Sequence, residues 1–589
     1  MEEKFKRGPN PFEQPQIGME HVPPYLKFQP GEENRFWTLD RMHSPEPFYP
    51  LEYETSFIAL AEYADSTGIE LNKLPTSHGQ AYRVLNGWCW VGDIDVSGPE
   101  EIEQRVPKFM EIAERWYSRW EQAVAEAEAP NIKAADWLHS FDFETDPDLS
   151  DPKQLYTLIE RFDAILSALY RSAESHLQIM VLLFVKKLEL YGLCKELIPG
   201  TDDEEVSKML QGFGNKLMET DAAFWNLGEL AHTLGVADVV RGPLEDVVPG
   251  LEKTDNGRKW LEEFKKTVQE YGMRHVGGCY NLMPVSWMED LDYPISFVRG
   301  FMAKKARGEK LVPKEELEAE REQAVQAFRA KLKSDEDKKR FDETLDLVQR
   351  QYPWYEDHNF LYEGRIGTGV HLKIIELGRR LVNEGYLDEP YDIGYLLLHE
   401  LRQLLYELVL KRLEFRKYNM MDVRPIIKER KEIREKQIQW EPPVVVGLSP
   451  LVPPENPLTV LIFGATPENI ERAFAVYEKP EEVLEITGLA ASPGVAEGLA
   501  RVLVDVSQLK EVQPGEILVC SSTNPMWNPV FGQVKAVVTD VGGTMAHAGI
   551  VAREYGLPAV VGTGQATRII KTGDRIRVDG TAGIITKLK

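Results

Sequence analysis

The amino-acid sequence predicts a multidomain protein in which a large, mainly α-helical domain is followed by a compact α/β domain. Three observations support this prediction. The 589 residues exceed the size of one ordinary domain. The middle of the chain repeats apolar residues at helical spacing, whereas the C-terminal part alternates short apolar runs with Gly and Pro turns. Hydrophobic residues make up 43% and charged residues 28% of the chain, which is typical of folded proteins.

The composition divides the chain into four segments. Residues 1–97 are rich in Pro and aromatic residues, which predicts an extended lead-in ordered by tertiary contacts. Residues 98–440 follow the helical pattern, with an exposed helical pair expected over residues 315–350. Six Pro residues end the helices and predict a linker over residues 441–486. Residues 487–589 are expected to form the α/β domain.

Charge and cysteine usage exclude several classes of partner. The formal net charge of −26 repels nucleic acid and anionic membranes, so neither is expected as a partner. The four Cys residues show no CxxC spacing, which argues against a zinc site or a disulfide framework and fits a reducing cytoplasm. The N-terminus has no apolar signal-peptide core, and no run of about 18 apolar residues follows. We therefore expect a cytoplasmic protein with no metal site and no membrane span.

His547 is the residue best suited to chemistry. The segment TDVGGTMAHAGIVAREYGLPAVVG predicts a buried strand, then Gly542 and Gly543, then a helix capped by Thr544 and ended by Gly556. His547 would lie in the first helical turn, where unpaired N–H groups and the helix dipole favour an anion. A neutral imidazole is a good nucleophile and a good leaving group from phosphorus. Taken alone, the pattern fits a structural histidine as well as one that accepts and delivers a phosphoryl group.

The C-terminal segment resembles the mobile phosphohistidine domain of the phosphoenolpyruvate-utilising enzymes. The resemblance implies that His547 is the phosphocarrier, that the Gly-Gly-Thr sequence before it forms its cradle, and that the domain swivels between two reaction centres. Three motifs carry the resemblance, in order: GLAASPGVAEGLARV at 488–502, ILVCSSTNPMWNPVF at 517–531 and GGTMAHAGIVAREYGLPAVVG at 542–562.

Two positions near the histidine need comment. Members of that family often carry Thr-Ser or Leu-Ser immediately before the His, whereas Met545 and Ala546 stand here. A hydroxyl contact to the phosphoryl group is therefore expected from Thr544 instead. Arg553 is six residues from His547 and points off its helical face, which favours a structural or docking role over direct phosphate contact.

The helical middle resembles the acceptor-binding region of the rifampicin phosphotransferase and phenylphosphate synthase branch of these enzymes. In one matching segment Met273 stands where the family has His, whereas the following Arg274 is kept. Four segments occur in the family's order: FWTLDRMHSPEP at 36–47, EYGMRHVGGCYNLMPVSWMED at 270–290, PWYEDHNFLYEGRIGTG at 353–369 and LDEPYDIGYLLLHEL at 387–401.

These segments contain the residue types that phosphoryl transfer to a hydroxyl requires, namely a base at the hydroxyl and cations at the phosphoryl oxygens. We expect Arg274 to neutralise phosphoryl oxygens and His358 to take the hydroxyl proton. Asp357 would orient His358 or take the proton itself. Aromatic side chains nearby suit a flat acceptor. Further substrate-binding candidates are His43, Arg365, His275 and Trp354.

Together the resemblances imply the acceptor-and-carrier subunit of a dikinase-type phosphotransferase with paired acceptors, similar to the aryl phosphate synthases that act on phenol or alkylphenols. The sequence shows neither the glycine-rich phosphate loop of an ATP-grasp domain nor the βα repeats of a phosphoenolpyruvate barrel. A separate ATP-grasp subunit is therefore expected to charge His547, using ATP and Mg²⁺ and leaving AMP and phosphate. Two alternatives stay open: another hydroxyl acceptor such as an antibiotic, or a phosphorelay or scaffold protein without a small-molecule acceptor.

Overall fold

The structure combines a small N-terminal sheet, a large helical part and a C-terminal α/β domain, which confirms the predicted fold class. It is a computed structural model, and no helix among the residues that it describes is both long and apolar enough to cross a membrane. The described residues are 6–41, 43–58, 65–274, 281–311, 313–414, 421–449, 467–474, 482–503, 506–523, 527–544 and 546–588.

The helical part consists of α-helices that each bury an apolar face. They are α1 (Pro50–Tyr53), α2 (Asp65–Asn72), α3 (Pro99–Tyr117), α4 (Trp120–Leu138), α5 (Thr157–Leu197), α6 (Asp203–Lys208), α7 (Lys216–Thr233), α8 (Ala237–Arg241), α9 (Leu244–Leu251), α10 (Asp255–Tyr271), α11 (Asp292–Ala306), α12 (Lys314–Lys331), α13 (Asp335–Gln351), α14 (Trp354–Asn359), α15 (Gly369–Asn383), α16 (Leu398–Arg412) and α17 (Arg424–Gln439).

Helices α12 and α13 form the predicted helical pair. Ser334 separates them, and its hydroxyl accepts a hydrogen bond from the backbone N–H of Asp337 at 3.0 Å, which caps α13. The pair is not solvated on every side. Phe341 and Val348 on α13 are buried against Leu190 of α5, the 41-residue helix that runs through the helical part.

Two other kinds of helix occur in the chain. A π-helix over Phe360–Thr368 follows α14 directly and leads into α15. Such wide turns are rare, and they are frequent at functional sites. Short 3-10 helices cover Pro11–Glu13, Met19–His21, Pro24–Leu26, Glu32–Asn34, Pro390–Tyr395 and Val506–Glu511.

The N-terminal lead-in contains regular strands that its Pro-rich composition did not predict. An antiparallel sheet has the order β2-β3-β1-β4, and its last strand lies within the predicted linker at 441–486. Asn86 and Gly87, both with positive φ, form the tight turn between β2 and β3. The strands are β1 (Phe36–Leu39), β2 (Ser77–Leu85), β3 (Trp88–Asp95) and β4 (Val445–Gly447).

The C-terminal domain is built on an eight-stranded sheet of order β5-β12-β11-β7-β8-β9-β10-β6. Strands β7 to β10 are parallel neighbours, and the other pairs are antiparallel. The elements are α18 (Pro467–Ala473), β5 (Glu485–Thr487), β6 (Leu489–Ser492), β7 (Val495–Leu503), β8 (Ile517–Cys520), α19 (Asn528–Phe531), β9 (Ala536–Thr539), α20 (His547–Glu554), β10 (Ala559–Val561), α21 (Ala566–Ile569), β11 (Arg575–Asp579) and β12 (Ile584–Lys587).

The C-terminal domain packs against helices α7 and α11 through a shared apolar core. Phe224 and Phe297 from the helical part belong to the same buried cluster as Phe531 and Val537 from the C-terminal domain. Gly300 lies so close to Gln533 that a Cβ at this position would be 2.9 Å from the Gln533 side chain. This contact brings the phosphohistidine segment against the helical part.

Candidate active site

His547 is the first residue of α20, at the end of the loop that follows β9. This is the position at a helix N-terminus that the sequence predicts, and Gly556 at a φ of +64° follows the helix as expected. Ala546 is the N-cap residue, and no side chain caps this end. The expectation that Thr544 caps the helix is therefore wrong, which leaves N–H groups of the first turn available to an anion.

The loop before His547 is held in a close turn by glycines and by one arginine. Gly542 has a φ of +117°, a backbone conformation that residues other than glycine rarely adopt. A Cβ on Gly549 would lie 2.6 Å from the carbonyl oxygen of Thr544. The Arg553 guanidinium donates to the carbonyl oxygens of Thr544 at 2.9 Å and Ala491 at 2.6 Å. Arg553 therefore has the structural role expected for it.

The imidazole of His547 is partly buried and electrically neutral at physiological pH. Burial, and secondarily the positive charge of Arg274, lower the pKa of His547 to about 3. The Thr523 hydroxyl lies 2.9 Å from Nδ1, and the Phe531 ring packs edge-on at 5.9 Å between centroids. With Nδ1 occupied by Thr523, Nε2 is the nitrogen suited to nucleophilic attack.

Arg274 lies in the helical part, and it is close enough to His547 to contribute to that pKa shift. Its backbone carbonyl accepts a hydrogen bond from the Trp287 N–H at 2.8 Å, and its guanidinium carbon lies 5.5 Å from the Trp287 ring centroid. One guanidinium nitrogen lies 3.5 Å from the Thr220 hydroxyl on α7. The structure thus brings together the predicted phosphocarrier and the predicted cation.

A polar contact fastens the C-terminal domain beside this pair. The Tyr555 hydroxyl donates to Asp221 Oδ2 on α7 at 2.5 Å, and the Lys304 ammonium lies 4.4 Å from the Tyr555 ring centroid. Asp221 Oδ1 is buried and has no hydrogen-bond partner among the described residues. Burial raises the pKa of Asp221 to about 6, although Tyr555, Lys304 and Arg274 all oppose the shift.

A second group of rings surrounds His358 in the helical part. The His358 ring stacks on Trp354 at 4.9 Å between centroids and lies 4.7 Å from the His176 ring, which in turn stacks on Tyr362 at 5.1 Å. Burial lowers the pKa of His358 to about 4 and that of His176 well below its usual range. Both imidazoles are therefore neutral at physiological pH. His176 Nε2 is buried and finds no hydrogen-bond partner among the described residues.

The Trp354 carbonyl fixes the tautomer of His358. His358 Nδ1 lies 2.8 Å from the Trp354 carbonyl oxygen. A carbonyl can only accept, so Nδ1 carries the proton and Nε2 carries the lone pair. Trp354 itself is held by a hydrogen bond from its indole N–H to Glu128 Oε1 at 2.7 Å.

His43 extends this ring group toward the N-terminal sheet. The pKa of His176 is lowered first by burial, then by His358 and then by His43. The rings of His43 and His176 are therefore near each other. His43 Nδ1 lies 2.9 Å from Asp40 Oδ2, and the His43 N–H donates to Asp40 Oδ1 at 3.0 Å. Asp40 directly follows β1 and is anchored by a hydrogen bond from its N–H to the Cys89 carbonyl at 2.9 Å.

Arg41 connects the same motif to the C-terminal domain. Burial lowers the pKa of its guanidinium, while Asp540 and Glu441 act in the opposite direction. Asp540 follows β9 and precedes the glycine loop of His547, so Arg41 reaches the base of that loop. The Arg41 guanidinium carbon lies 4.7 Å from the Trp88 ring centroid, and its Nε is buried without a hydrogen-bond partner among the described residues.

The remaining predicted residues are placed elsewhere. Asp357 Oδ1 accepts from the Lys216 N–H at 2.6 Å, so it stabilises the N-terminus of α7 and does not contact the Nδ1 of His358 that the Trp354 carbonyl holds. Burial raises the pKa of Asp357. Arg365 pairs with Asp136 at 2.6 Å. His275 lies outside the described residues.

Contacts between the predicted segments make a single region. A Cβ on Gly364, in the π-helix, would lie 2.8 Å from the Met273 carbonyl oxygen, next to Arg274. Asp357 contacts α7 at Lys216, and Arg274 contacts it at Thr220, four residues or about one helical turn further along. The segments that carry Arg274 and His358 are therefore neighbours beside His547.

Several members of this region were not predicted, although each left some trace in the sequence. Asp40 and Arg41 lie inside the quoted FWTLDRMHSPEP motif, and Thr523 lies inside the quoted ILVCSSTNPMWNPVF motif. His176 lies three residues before the apolar run IMVLLFV of α5. Within the described residues, no group of three or more His, Cys, Asp or Glu side chains has an arrangement that could hold a metal ion.

Two family matches fit this architecture. Residues 512–583 match the family described as PEP-utilising enzyme, mobile domain. Residues 176–356 match the rifampicin phosphotransferase fourth domain. The chain thus carries both a mobile domain of the phosphoenolpyruvate-utilising type and a helical domain of the rifampicin phosphotransferase type, and the resemblances stated for these two parts are confirmed.

Individual relatives are similar over longer stretches. An uncharacterised phosphotransferase of Bacillus subtilis, YvkC, is 27% identical over 434 residues, which are 72% of this chain and 48% of the relative. The rifampicin phosphotransferase of Bacillus subtilis is 30% identical over 379 residues, 60% of this chain and 38% of the relative. The phosphoenolpyruvate synthase of Aeropyrum pernix is 43% identical over 145 residues, 23% of this chain and 17% of the relative. The chain spans about half or less of the length of these relatives.

Proposed function

We propose that this protein carries a phosphoryl group on His547 and transfers it to the hydroxyl of a phenolic acceptor bound in the helical part. The observation that supports this most directly is the meeting of His547 with Arg274. A neutral, partly buried imidazole at a helix N-terminus lies within the electrostatic reach of a cation from the domain that would hold the acceptor.

The chemistry follows from the groups at the two sides of the region. The acceptor oxygen attacks phosphorus and gives up its proton to a neighbouring base. The P–N bond to His547 Nε2 breaks, and its electron pair stays on Nε2 of an imidazole that is protonated on Nδ1. Arg274 neutralises the charge on the phosphoryl oxygens during the transfer. After the transfer, His547 is a neutral imidazole, the form that its low pKa favours, so it can accept the next phosphoryl group.

The ring group supports an aromatic acceptor. Trp354, His358, His176 and Tyr362 present stacked faces with neutral imidazoles among them. A phenol or an alkylphenol could stack on such a surface while its hydroxyl points toward the phosphohistidine. Another hydroxyl compound, such as an antibiotic, is the second candidate, because a relative named rifampicin phosphotransferase is 30% identical over 379 residues.

The donor in this proposal is a nucleotide-binding unit of the ATP-grasp type on a separate subunit. That subunit would hold ATP and Mg²⁺ and would phosphorylate His547, with AMP and phosphate as the other products. The C-terminal domain would move from the contact with α7 and α11 to reach it. The proposal thus assigns the acceptor half and the carrier to this chain.

The proposal is tested by reconstitution with a candidate nucleotide-binding subunit. AMP formation from ATP is measured with wild-type chain or His547→Gln, with and without phenol, 4-methylphenol or rifampicin. We expect AMP formation that requires both proteins, His547 and a phenol. Rapid ATP turnover by the lone chain would contradict the proposal, and a response to rifampicin but to neither phenol would favour the antibiotic acceptor.

A further inference from the structure

We propose that His43, oriented by Asp40, is the acid–base residue that exchanges a proton with the acceptor hydroxyl. The inference rests on the proposed transfer to a hydroxyl, and it names the residue that completes the reaction. His358 was the residue expected in this role from the sequence, so the two imidazoles must be compared.

The hydrogen bonds of His43 set it up as a base. Asp40 is buried, with 1% of its surface exposed, and its carboxylate lies 2.9 Å from His43 Nδ1. A carboxylate can only accept, so Nδ1 donates its proton to Asp40 and the lone pair is on Nε2. When Nε2 takes up a proton, the adjacent carboxylate stabilises the imidazolium, as in other Asp–His pairs that act in catalysis.

His358 and His176 lack this support. His358 Nδ1 donates to a neutral carbonyl, and burial penalises the charged form of both rings. Either imidazole would hold a proton only at a large cost in free energy. These rings are therefore suited to bind a neutral aromatic acceptor, whereas His43 is suited to receive its proton.

The position of His43 is also consistent with a location between the carrier, His547, and the acceptor at the ring group. On one side it lies close enough to His176 to influence its titration, which puts it at the ring group. On the other side, Arg41, two residues earlier, lies within electrostatic range of Asp540 at the base of the His547 loop. A hydroxyl between the ring group and the loop would thus be near His43.

The proton and electron balance is complete. In the forward direction the phosphohistidine carries a proton on Nδ1, beside the Thr523 hydroxyl. The acceptor O–H bond breaks and its proton moves to His43 Nε2, the P–O bond forms, and the P–N electron pair stays on His547 Nε2, which leaves a neutral imidazole protonated on Nδ1. His43 then releases its proton to solvent. In reverse, an aryl phosphate donates its phosphoryl group to His547, and protonated His43 gives its proton to the departing phenolate oxygen. The need for that proton depends on how basic the departing phenolate is.

The reverse reaction gives a test that uses the chain alone. The rate of His547 phosphorylation is measured by intact-protein mass spectrometry with phenyl phosphate and with 4-nitrophenyl phosphate, whose phenolate is far less basic and departs without protonation. Variants are His43→Gln and Asp40→Asn, and His399→Gln on the exposed face of α16 is the matched control. Each variant is its own folding control, because both substrates are measured on the same preparation.

We expect His43→Gln to slow transfer from phenyl phosphate by about 100-fold and transfer from 4-nitrophenyl phosphate by about threefold or less, in line with the usual contribution of general acid catalysis. Asp40→Asn should show the same selectivity with a smaller loss. Equal slowing with both substrates would overturn the role of His43 and leave the proposed function standing. Absence of His547 labelling from either substrate in the wild type would instead remove the proposed function, and this inference with it.

Discussion

Asp221 gives the sharpest prediction about how the C-terminal domain is held against the helical part. The Asp221 carboxylate is buried where it accepts from Tyr555 of the C-terminal domain, and burial raises its pKa to about 6 from an ordinary value of 3.8. We expect Asp221 to become solvated when the domain moves away, so that its ordinary pKa returns. The docked state therefore binds a proton more readily than the undocked state, so docking is most stable below about pH 4 and loses stability as the pH rises to about 6.

The size of the effect follows from the shift. About two pKa units correspond to roughly 3 kcal/mol of docking free energy lost at pH 7. Asp221→Asn removes the charge and keeps an oxygen that can accept from Tyr555. The amide N–H₂ would occupy the place of the unpartnered Oδ1, so the gain should fall short of the full amount, at about 1 to 3 kcal/mol.

The docking free energy can be measured by energy transfer between dyes during a urea titration. Dyes are attached at Lys265→Cys on α10 and Lys571→Cys in the C-terminal domain, with Cys279→Ser, since Cys89, Cys194 and Cys520 are buried. Asp221→Asn should strengthen docking at pH 7 and make little difference at pH 4. Asp238→Asn, an exposed carboxylate on α8, should change nothing. Weaker docking of Asp221→Asn at pH 7 would refute the reasoning.

Three further predictions concern His547 and its neighbours. Arg274→Gln should slow transfer between His547 and an aryl phosphate by about 10²-fold or more, because a charge that stabilises the phosphoryl oxygens is lost. Arg274→Lys should recover part of the rate. Arg307→Gln, at the exposed end of α11, is the control, and equal rates for all three variants would contradict the role of Arg274. Thr523→Val should slow His547 phosphorylation about tenfold, because the hydroxyl contact at Nδ1 is lost. Thr523→Ser should restore the rate. A Val variant that reacts at the wild-type rate would show that the hydroxyl does not matter. Since the pKa of His547 is about 3, its phosphorylation by 4-nitrophenyl phosphate should not lose rate through imidazole protonation between about pH 8 and pH 5.5. With an imidazole of pKa about 6.5, the initial rate would fall about tenfold over this range. Such a fall would contradict a neutral His547 of lowered pKa.

The sequence predicted those parts of the fold that depend on local patterns. Apolar spacing predicted the long helices, and the glycines around His547 predicted a strand, a close turn and a helix. The N-terminal sheet was missed because its pairing is non-local: Phe36 pairs with Gly447 across most of the chain. Its Asn86-Gly87 turn was a local hairpin signal that the prediction for residues 1–97 did not use.

The sequence predicted the motifs of the candidate site, but it did not predict how their residues are arranged in space. The sequence identified His547, Arg274, His358 and His43 one by one, but it could not show which of them meet, since each comes from a different segment. Partner assignment was the least predictable part. The carbonyl of Trp354 holds His358, whereas Asp357 binds the start of α7, and only the three-dimensional contacts distinguish these two arrangements.

Mass spectrometry of the isolated chain after incubation with phenyl phosphate, compared with His547→Gln, tests the carrier role of His547 without a partner protein. We expect one added phosphate on the wild type, located to the peptide of His547, and none on the variant. A phosphate on another residue, equal labelling of the variant, or an unmodified wild-type chain would contradict the claim that His547 carries the phosphoryl group to and from an aryl acceptor.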